Sequence, residues 1–539
     1  MKERNIAFKR QRENSGIIPL LAFIFIVIGV KIAVIANYGS SIPYWDQWDT
    51  EADTLFVPWL KGTLQWTDFF RPYMDHRIFT TKALDFLLFI LNRGVWDPML
   101  EMYVNAVIHS IALIMLLIPL SKGLNPYLRI IFFIFATFLF AVPYGHQSLL
   151  WTNGSVYYFV IFFSVLCLWS VCRFRTGSEV WLIVIVFSAF MSFYSLASGV
   201  ITIAAGVGTL LIRWACGVEK TRKTGAIIFF LSAALILGLC FTPSKSDSTS
   251  LIEFFVAILF ATAGGLLYIP VFLYVNRRLR ETRPVTDHSW FVIAVSLWSI
   301  GQILATAWSR GAHIYASRYL DIMAIGVLIN GYCLLSLLQE LEYQKRLKNF
   351  AYTWFFIIVC GLLSIIPSTV RCLENKKTVS LHQRNNVSSY LSTGNYAFLQ
   401  KEPTLTVSYK YYYSLFRNKG GILVKLKDIA EYLHNEEITH NLFYLDFDRL
   451  NSLFEYLENK TPGQEIPYPD NPKFLKSLLD NQLISSILTP EVNSYNTNKG
   501  LGLYTKQSKE FFILLGICLC FFGITFFIKE AITLKHYCK

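Results

Sequence analysis

Residues 43 to 77, PYWDQWDTEADTLFVPWLKGTLQWTDFFRPYMDHR, crowd the carboxylates of Asp46, Asp49, Glu51, Asp53, Asp68 and Asp75 among Trp45, Trp48, Trp59 and Trp66, directly after an uninterrupted apolar run. Anionic headgroups repel carboxylates, so concentrating so many at one membrane surface calls for a reason. A carboxylate held near the membrane plane can serve as a base on a hydroxyl whose reaction partner is carried by a lipid. On a helix Asp46 and Asp49 share a face, Asp53 lies one turn further along, and Glu51 points elsewhere. Taken singly, each acid has a plainer role, solvating an interfacial helix or capping its start behind Pro43. Trp59 and Trp66 read as interfacial anchors, whereas Trp45 and Trp48 can also stack on a sugar face.

The cations that would complement such acids lie in three places. Asp75-His76-Arg77 closes the acidic stretch; His76 can orient a carboxylate or contact a phosphate, Arg77 can bind a phosphate directly, and a local salt bridge is the plain alternative. In WSRGAHIYASRYLD, Arg310 and Arg318 break the rule that outer loops lack positive charge. A phosphodiester would explain both, because guanidinium groups bind phosphate bidentately and stabilise charge developing on a leaving phosphate. The plain reading is snorkelling to headgroups or pairing with an acid elsewhere, and His313 stays with it. A third loop, PYGHQSLLWTNGSVYY, offers His146, Gln147, Trp151 and Asn153, uncharged groups suited to sugar hydroxyls but also ordinary at a helix end. No HExxH, paired CxxC or Walker loop stands outside the apolar runs, so metal-dependent hydrolysis and Walker-type nucleotide chemistry lack support, and neither cofactor nor metal is expected.

The elements that must position these residues are membrane helices. Of 539 residues 54% are hydrophobic and only 16% charged, a balance too apolar for a soluble chain of this length. Apolar runs near twenty residues recur at 17–35, 99–120, 127–143, 155–172, 180–196, 199–214, 225–242, 251–275, 289–308, 319–338, 350–367 and 510–528, about twelve spans. Residues 78–92 carry Lys82 and Asp85 and are short, which fits a helix lying along the interface. The net charge of +13 does not point to nucleic acid, because Lys and Arg gather in the short loops between spans. Arg129, Arg173, Arg175, Arg213, Arg277, Arg278 and Arg280 fall on one side and few cations on the other, so the chain starts inside and the acidic stretch lies outside. Cys167, Cys333, Cys360 and Cys518 sit in apolar runs and read as core. Residues 369–507 form a polar outer segment mixing helical pieces such as 468–488 with strand-like runs at 405–413 and 441–448.

WDQWDTE in a first outer loop, a DHR triplet before interfacial helices, a small-residue SLASG break between spans and an outer ASRY at a span start together resemble the GT-C class of integral-membrane glycosyltransferases. The similarity is nearest to bacterial serotype-converting O-antigen glucosyltransferases. The triplet departs from the family pattern, in which a Glu often stands where this chain has Asp75. The resemblance implies a polytopic α-helical membrane protein, GT-C-like over residues 1–368 with a first periplasmic loop at about 37–98, a mixed α/β periplasmic domain at 369–507, and a final span and cytoplasmic tail at 508–539. It implies a multi-pass protein of the bacterial inner membrane with its active site facing the periplasm. There it would move a sugar, glucose above all, with inversion, from an undecaprenyl-phosphate donor to a lipid-linked O-antigen or other cell-surface polysaccharide. Carried over residue by residue, Asp46 is the first choice of general base, Asp49 the second and Glu51 the third. Arg318 leads the phosphate ligands, ahead of Arg310, Arg77 and His76. The competing class is a transporter or flippase of a lipid-linked sugar, for which Asp321 and Asn330 are the residues to inspect.

Overall fold

The computed structural model describes residues 16–73, 76–175, 179–218, 220–240, 250–262, 265–280, 287–311, 314, 316–341, 344–400 and 471–537. Its principal helices are α1 (Ile17–Tyr38), α2 (Phe79–Leu91), α3 (Pro98–Ser121), α4 (Pro126–Ala141), α5 (Ser155–Arg173), α6 (Glu179–Phe193), α7 (Val200–Ala215) and α8 (Arg222–Cys240). They continue with α9 (Leu251–Ala261), α10 (Ile269–Arg280), α11 (Asp287–Arg310), α12 (Leu320–Glu340), α13 (Lys345–Thr393), α14 (Pro472–Asp480), α15 (Gln482–Ile487) and α16 (Lys506–Tyr537). Three starts share one device. Asp97-Pro98, Asn125-Pro126 and Asn471-Pro472 each place an acceptor side chain on the N–H of Met99, Leu128 or Phe474, with proline in the first turn where no donor is needed.

Among the described residues eight helices are long and apolar enough to cross a membrane: α1, α3, α5, α7, α11, α12, α13 and α16, while α4 and α6 are apolar but shorter. The chain is therefore a helical membrane protein, with fewer full-length spans than the twelve expected. The run 251–275 is one reason, since it divides into α9 and α10 at a turn where Gly265 adopts a left-handed φ of 82°. The expected mixed α/β outer domain is not supported. Among the described residues no strand forms, only the isolated pairings Tyr73–His76 and Trp96–Leu488. The described part of 369–507 is helical where its apolar residues recur at helical spacing: Leu475, Leu478 and Leu479 form the buried face of α14. The strand-like runs at 405–413 and 441–448 lie outside the described residues. Of the cysteines read as core, Cys167 and Cys333 are buried, but Cys360 and Cys518 face outward from apolar helices.

Two of the hydrophobic clusters among the described residues bear on the acidic stretch and the bundle beneath it. The larger joins α1, α3, α4, α5, α11 and α12 through residues such as Phe23, Leu113, Phe132, Val160, Val292 and Leu328. The smaller gathers Ile42, Trp48 and Phe56 of the acidic stretch, Trp96, Val387 and Tyr390 from the far end of α13, and Leu475, Ile484 and Leu488. The acidic stretch is thus held by the segment that follows the spans. Hydrogen bonds reinforce the contact: the Ser41 hydroxyl donates to Glu491, and the Trp96 N–H to the carbonyl of Ile487 at 2.8 Å. Helix α13 is 49 residues long and continuous across residue 368, where the membrane module was expected to end.

The two ends of the bundle differ in charge. At one, Arg175 pairs with Asp287, Arg277 and Arg278 with Glu340, and buried Arg213 donates to the carbonyls of Val171 and Phe174 at the end of α5, where helix dipoles favour a cation. The other is the acidic end. Helix α1 is sealed against α16 by small residues: a Cβ on Gly29 would meet the Gly516 carbonyl oxygen at 2.6 Å, and one on Gly516 the Gly29 oxygen at 2.5 Å.

Candidate active site at the acidic end

Residues Trp48–Phe56 form a π-helix that runs on into a short α-turn, Val57–Leu60. Such wide turns are uncommon and recur at functional sites. Trp48, Glu51, Ala52, Leu55 and Phe56 point inward, Asp46 and Asp49 are half-buried, and Asp53 is exposed. Burial and its neighbour Asp49 push the Asp53 carboxyl up. Glu51 accepts from the Trp96 indole at 2.7 Å and from the Thr152 hydroxyl at 3.0 Å. The Trp48 indole donates to the Pro43 carbonyl at 3.0 Å and packs edge-on against Trp96. Glu51 and Trp48 are therefore interior residues, and neither an acceptor hydroxyl nor a sugar face reaches them while this packing holds. Trp45 stands at the surface in a left-handed conformation, φ 50°, its ring 6.0 Å from Tyr44. A non-glycine residue there is strained by roughly 1–3 kcal/mol. Asp68 takes the plain role: it accepts from the Gln65 N–H at 2.9 Å in a capping box.

A hydrogen-bonded path joins the acids to the arginines. The Tyr73 hydroxyl donates to Asp49 Oδ2 at 3.2 Å. Tyr73 and His76 exchange two backbone hydrogen bonds, 2.8 and 2.9 Å. Arg310 Nη2 then donates to His76 Nε2 at 3.3 Å, which leaves the imidazole neutral in this geometry. Arg310 and Arg318 are both within electrostatic reach of Tyr157, whose ring meets Tyr319 edge-on at 5.7 Å. The Arg318 guanidinium covers the Tyr319 ring, and that of Arg77 the Phe193 ring at 5.1 Å. Asp75 and His313 lie outside the described residues.

The third loop interlocks with the turn that carries Arg318. The Gln147 N–H donates to Ser317 Oγ at 3.1 Å and the Ser148 hydroxyl to the Arg318 carbonyl at 3.0 Å, with His146 Nε2 3.4 Å from Ser317 Oγ. Burial pushes His146 down to about 4, so it is a neutral hydrogen-bonding group. Asn153 is buried and donates to Thr50 Oγ1 at 3.4 Å, bracing the π-helix. Among the described residues the buried atoms Gln147 Oε1 and Trp151 Nε1 have no hydrogen-bond partner, an arrangement that suits a polar ligand.

Behind the exposed acids lies a second, buried group. Glu51, Asp85 and Glu101 are each within electrostatic reach of one another. Burial pushes Glu51 up to about 7 and Asp85 well above the usual carboxylate range, with Glu51 adding to the rise at Asp85. Among the described residues no cluster of three His, Cys, Asp or Glu is arranged to hold a metal. The spacing Glu101, Asn105, His109 puts three polar groups on one face of α3, and all three are buried. That four-residue polar stripe inside an apolar span was the readable signal for this layer.

Comparison of the chain with protein-family models, with curated proteins and with solved structures returned no match in any of the three. What can be stated of the chain as a class is a helical membrane protein with a polar site at its acidic end.

Proposed function

We propose that this protein is an inverting glycosyltransferase that moves a sugar from a polyprenyl-phosphate donor to a lipid-linked O-antigen or another cell-surface polysaccharide, on the outer face of a bacterial inner membrane. The observation that carries the reading is the path from Asp49 through Tyr73 and His76 to Arg310, which links the carboxylates of the first outer loop to the cations of a loop more than two hundred residues away. Dispersed anchors would have no reason to share one network.

In the reaction, Asp46 or Asp49 accepts the proton of the acceptor hydroxyl as its oxygen attacks the anomeric carbon. The bond from that carbon to the phosphate oxygen breaks on the opposite face, and the electron pair leaves with the lipid phosphate. Arg318 and Arg310 stabilise the departing charge, with His76 and Arg77 nearby. His146, Gln147 and Trp151 offer contacts to sugar hydroxyls, and Trp45 a stacking face.

The test is transfer of label from radioactive polyprenyl-phosphate glucose to membrane polysaccharide in vesicles, with EDTA present. Wild type should transfer; Asp46→Asn or Asp49→Asn, whichever removes the base, should not. Wild-type label with both variants fully active would sink the base assignment. A second reading, a flippase for the lipid-linked sugar, is favoured by one observation, the buried Lys31 and His109 beside the half-buried Asp321 in the spans. It predicts protein-dependent movement of the donor across vesicles lacking any acceptor, and no label in polymer.

A further inference from the structure

Lys31 lies seven residues before the end of α1, about 10 Å below it along the helix, and is buried. Its ammonium donates to His109 Nδ1, and the same ring nitrogen is 4.0 Å from Asp321 Oδ2. Donation from an ammonium fixes His109 as the neutral tautomer, with its proton on Nε2. The imidazole stacks on Tyr158 at 4.3 Å, meets Phe140 edge-on, and brings Lys31 within electrostatic reach of Asp321. Opposite charges at this depth are held only against a desolvation penalty of several kcal/mol per ion, so each depends on the other.

Asp321 stands one turn beyond Arg318, at the start of α12. A Cβ added to Gly145 would meet Asp321 Oδ2 at 2.3 Å, so the backbone of the third loop rests on the carboxylate itself. From that contact Gln147 and Ser148 reach across to Ser317 and Arg318. We propose that Lys31 and Asp321, with His109 wedged between them, are a positioning pair that sets the Arg318 turn for binding a lipid-linked phosphate. The inference rests on Arg318 as a phosphate ligand and not on sugar transfer.

The test is equilibrium binding of undecaprenyl phosphate, with undecaprenol as the uncharged control, to the full chain in nanodiscs, alongside its melting temperature. Wild type should prefer the phosphate, and Arg318→Gln should abolish that preference; equal binding of both lipids by wild type would refute the phosphate site and the inference with it. Given that preference, Lys31→Met and Asp321→Asn should each weaken phosphate binding about tenfold and leave undecaprenol binding unchanged, while Lys31→Arg retains it. The double variant Lys31→Met with Asp321→Asn removes both charges, and should recover the melting temperature but not the phosphate preference. Recovery of both would make the pair a structural ion pair only and overturn the proposal, as would single variants that bind phosphate like wild type.

Discussion

Two sets of acids occupy the acidic end, and they differ in what can reach them. Asp46, Asp49 and Asp53 are half-buried or exposed, whereas Glu51, Asp85 and Glu101 lie inside, Glu51 fastened by Trp96 and Thr152. The tryptophans divide in the same way, Trp45 at the surface in a strained conformation and Trp48 wholly enclosed. Under the proposed function the outer set is the one open to proton exchange with a substrate, while Glu51 of the inner set fastens the turn that carries it.

The largest separation should come from activity. Loss of the base at Asp46 or Asp49 should lower transfer by about 100-fold or more with an unchanged melting temperature, measured on purified protein in vesicles. Trp48→Ala should instead act on stability, costing about 3–5 kcal/mol as read by thermal unfolding, whereas Trp45→Ala should stay within about 1 kcal/mol of wild type. Glu51 gives the pH test. Its folded value of about 7 lies above the ordinary 4.5, so the folded state holds the proton more tightly. Stability from this group is full below about pH 4.5, falls as pH rises, and is lost above about 7, a span of roughly 3 kcal/mol. Glu51→Gln should flatten that part of the melting profile between pH 4 and 8; Asp97, pushed up to about 7 by burial, leaves a residual slope of the same sign. The smallest effect belongs to Asp53→Asn, within about 0.5 kcal/mol in stability and twofold in transfer, since its side chain is exposed. A large loss there would dissolve the distinction between the two sets.

Much of the membrane layer was legible because apolar run length and loop charge are local properties of the sequence. That Asp46, Asp49 and Asp53 share a face and that Glu51 points away from it followed from helical spacing; that Glu51 is enclosed, and so out of reach as a base, did not. What could not be read depended on distant partners. Trp48 carries the same signal as Trp45 until Trp96 and Val387 are known to enclose it. Tyr73 gave no sign of bonding Asp49, and nothing in the sequence showed that α3 and α12 bring His109 and Asp321 beside Lys31. The helical character of residues 472–487 was visible in their apolar spacing, but not that they close the core beneath the acid loop.

Helix α13 gives the molecule a mechanical property. At 49 residues it measures about 73 Å, more than twice a hydrocarbon layer of roughly 30 Å. Pro367, which lacks the N–H an interior position would use, interrupts its ladder where the apolar part ends, so any bend of the helix would fall there. Its far end, Val387 and Tyr390, is packed against Ile42 and Trp48. A tilt of about 10° along the roughly 30–35 Å from the proline to Val387 and Tyr390 would displace that contact by about 5–6 Å. Bilayer thickness, which sets helix tilt, would then be felt at the π-helix, and acyl-chain length becomes a control on the geometry of the acids.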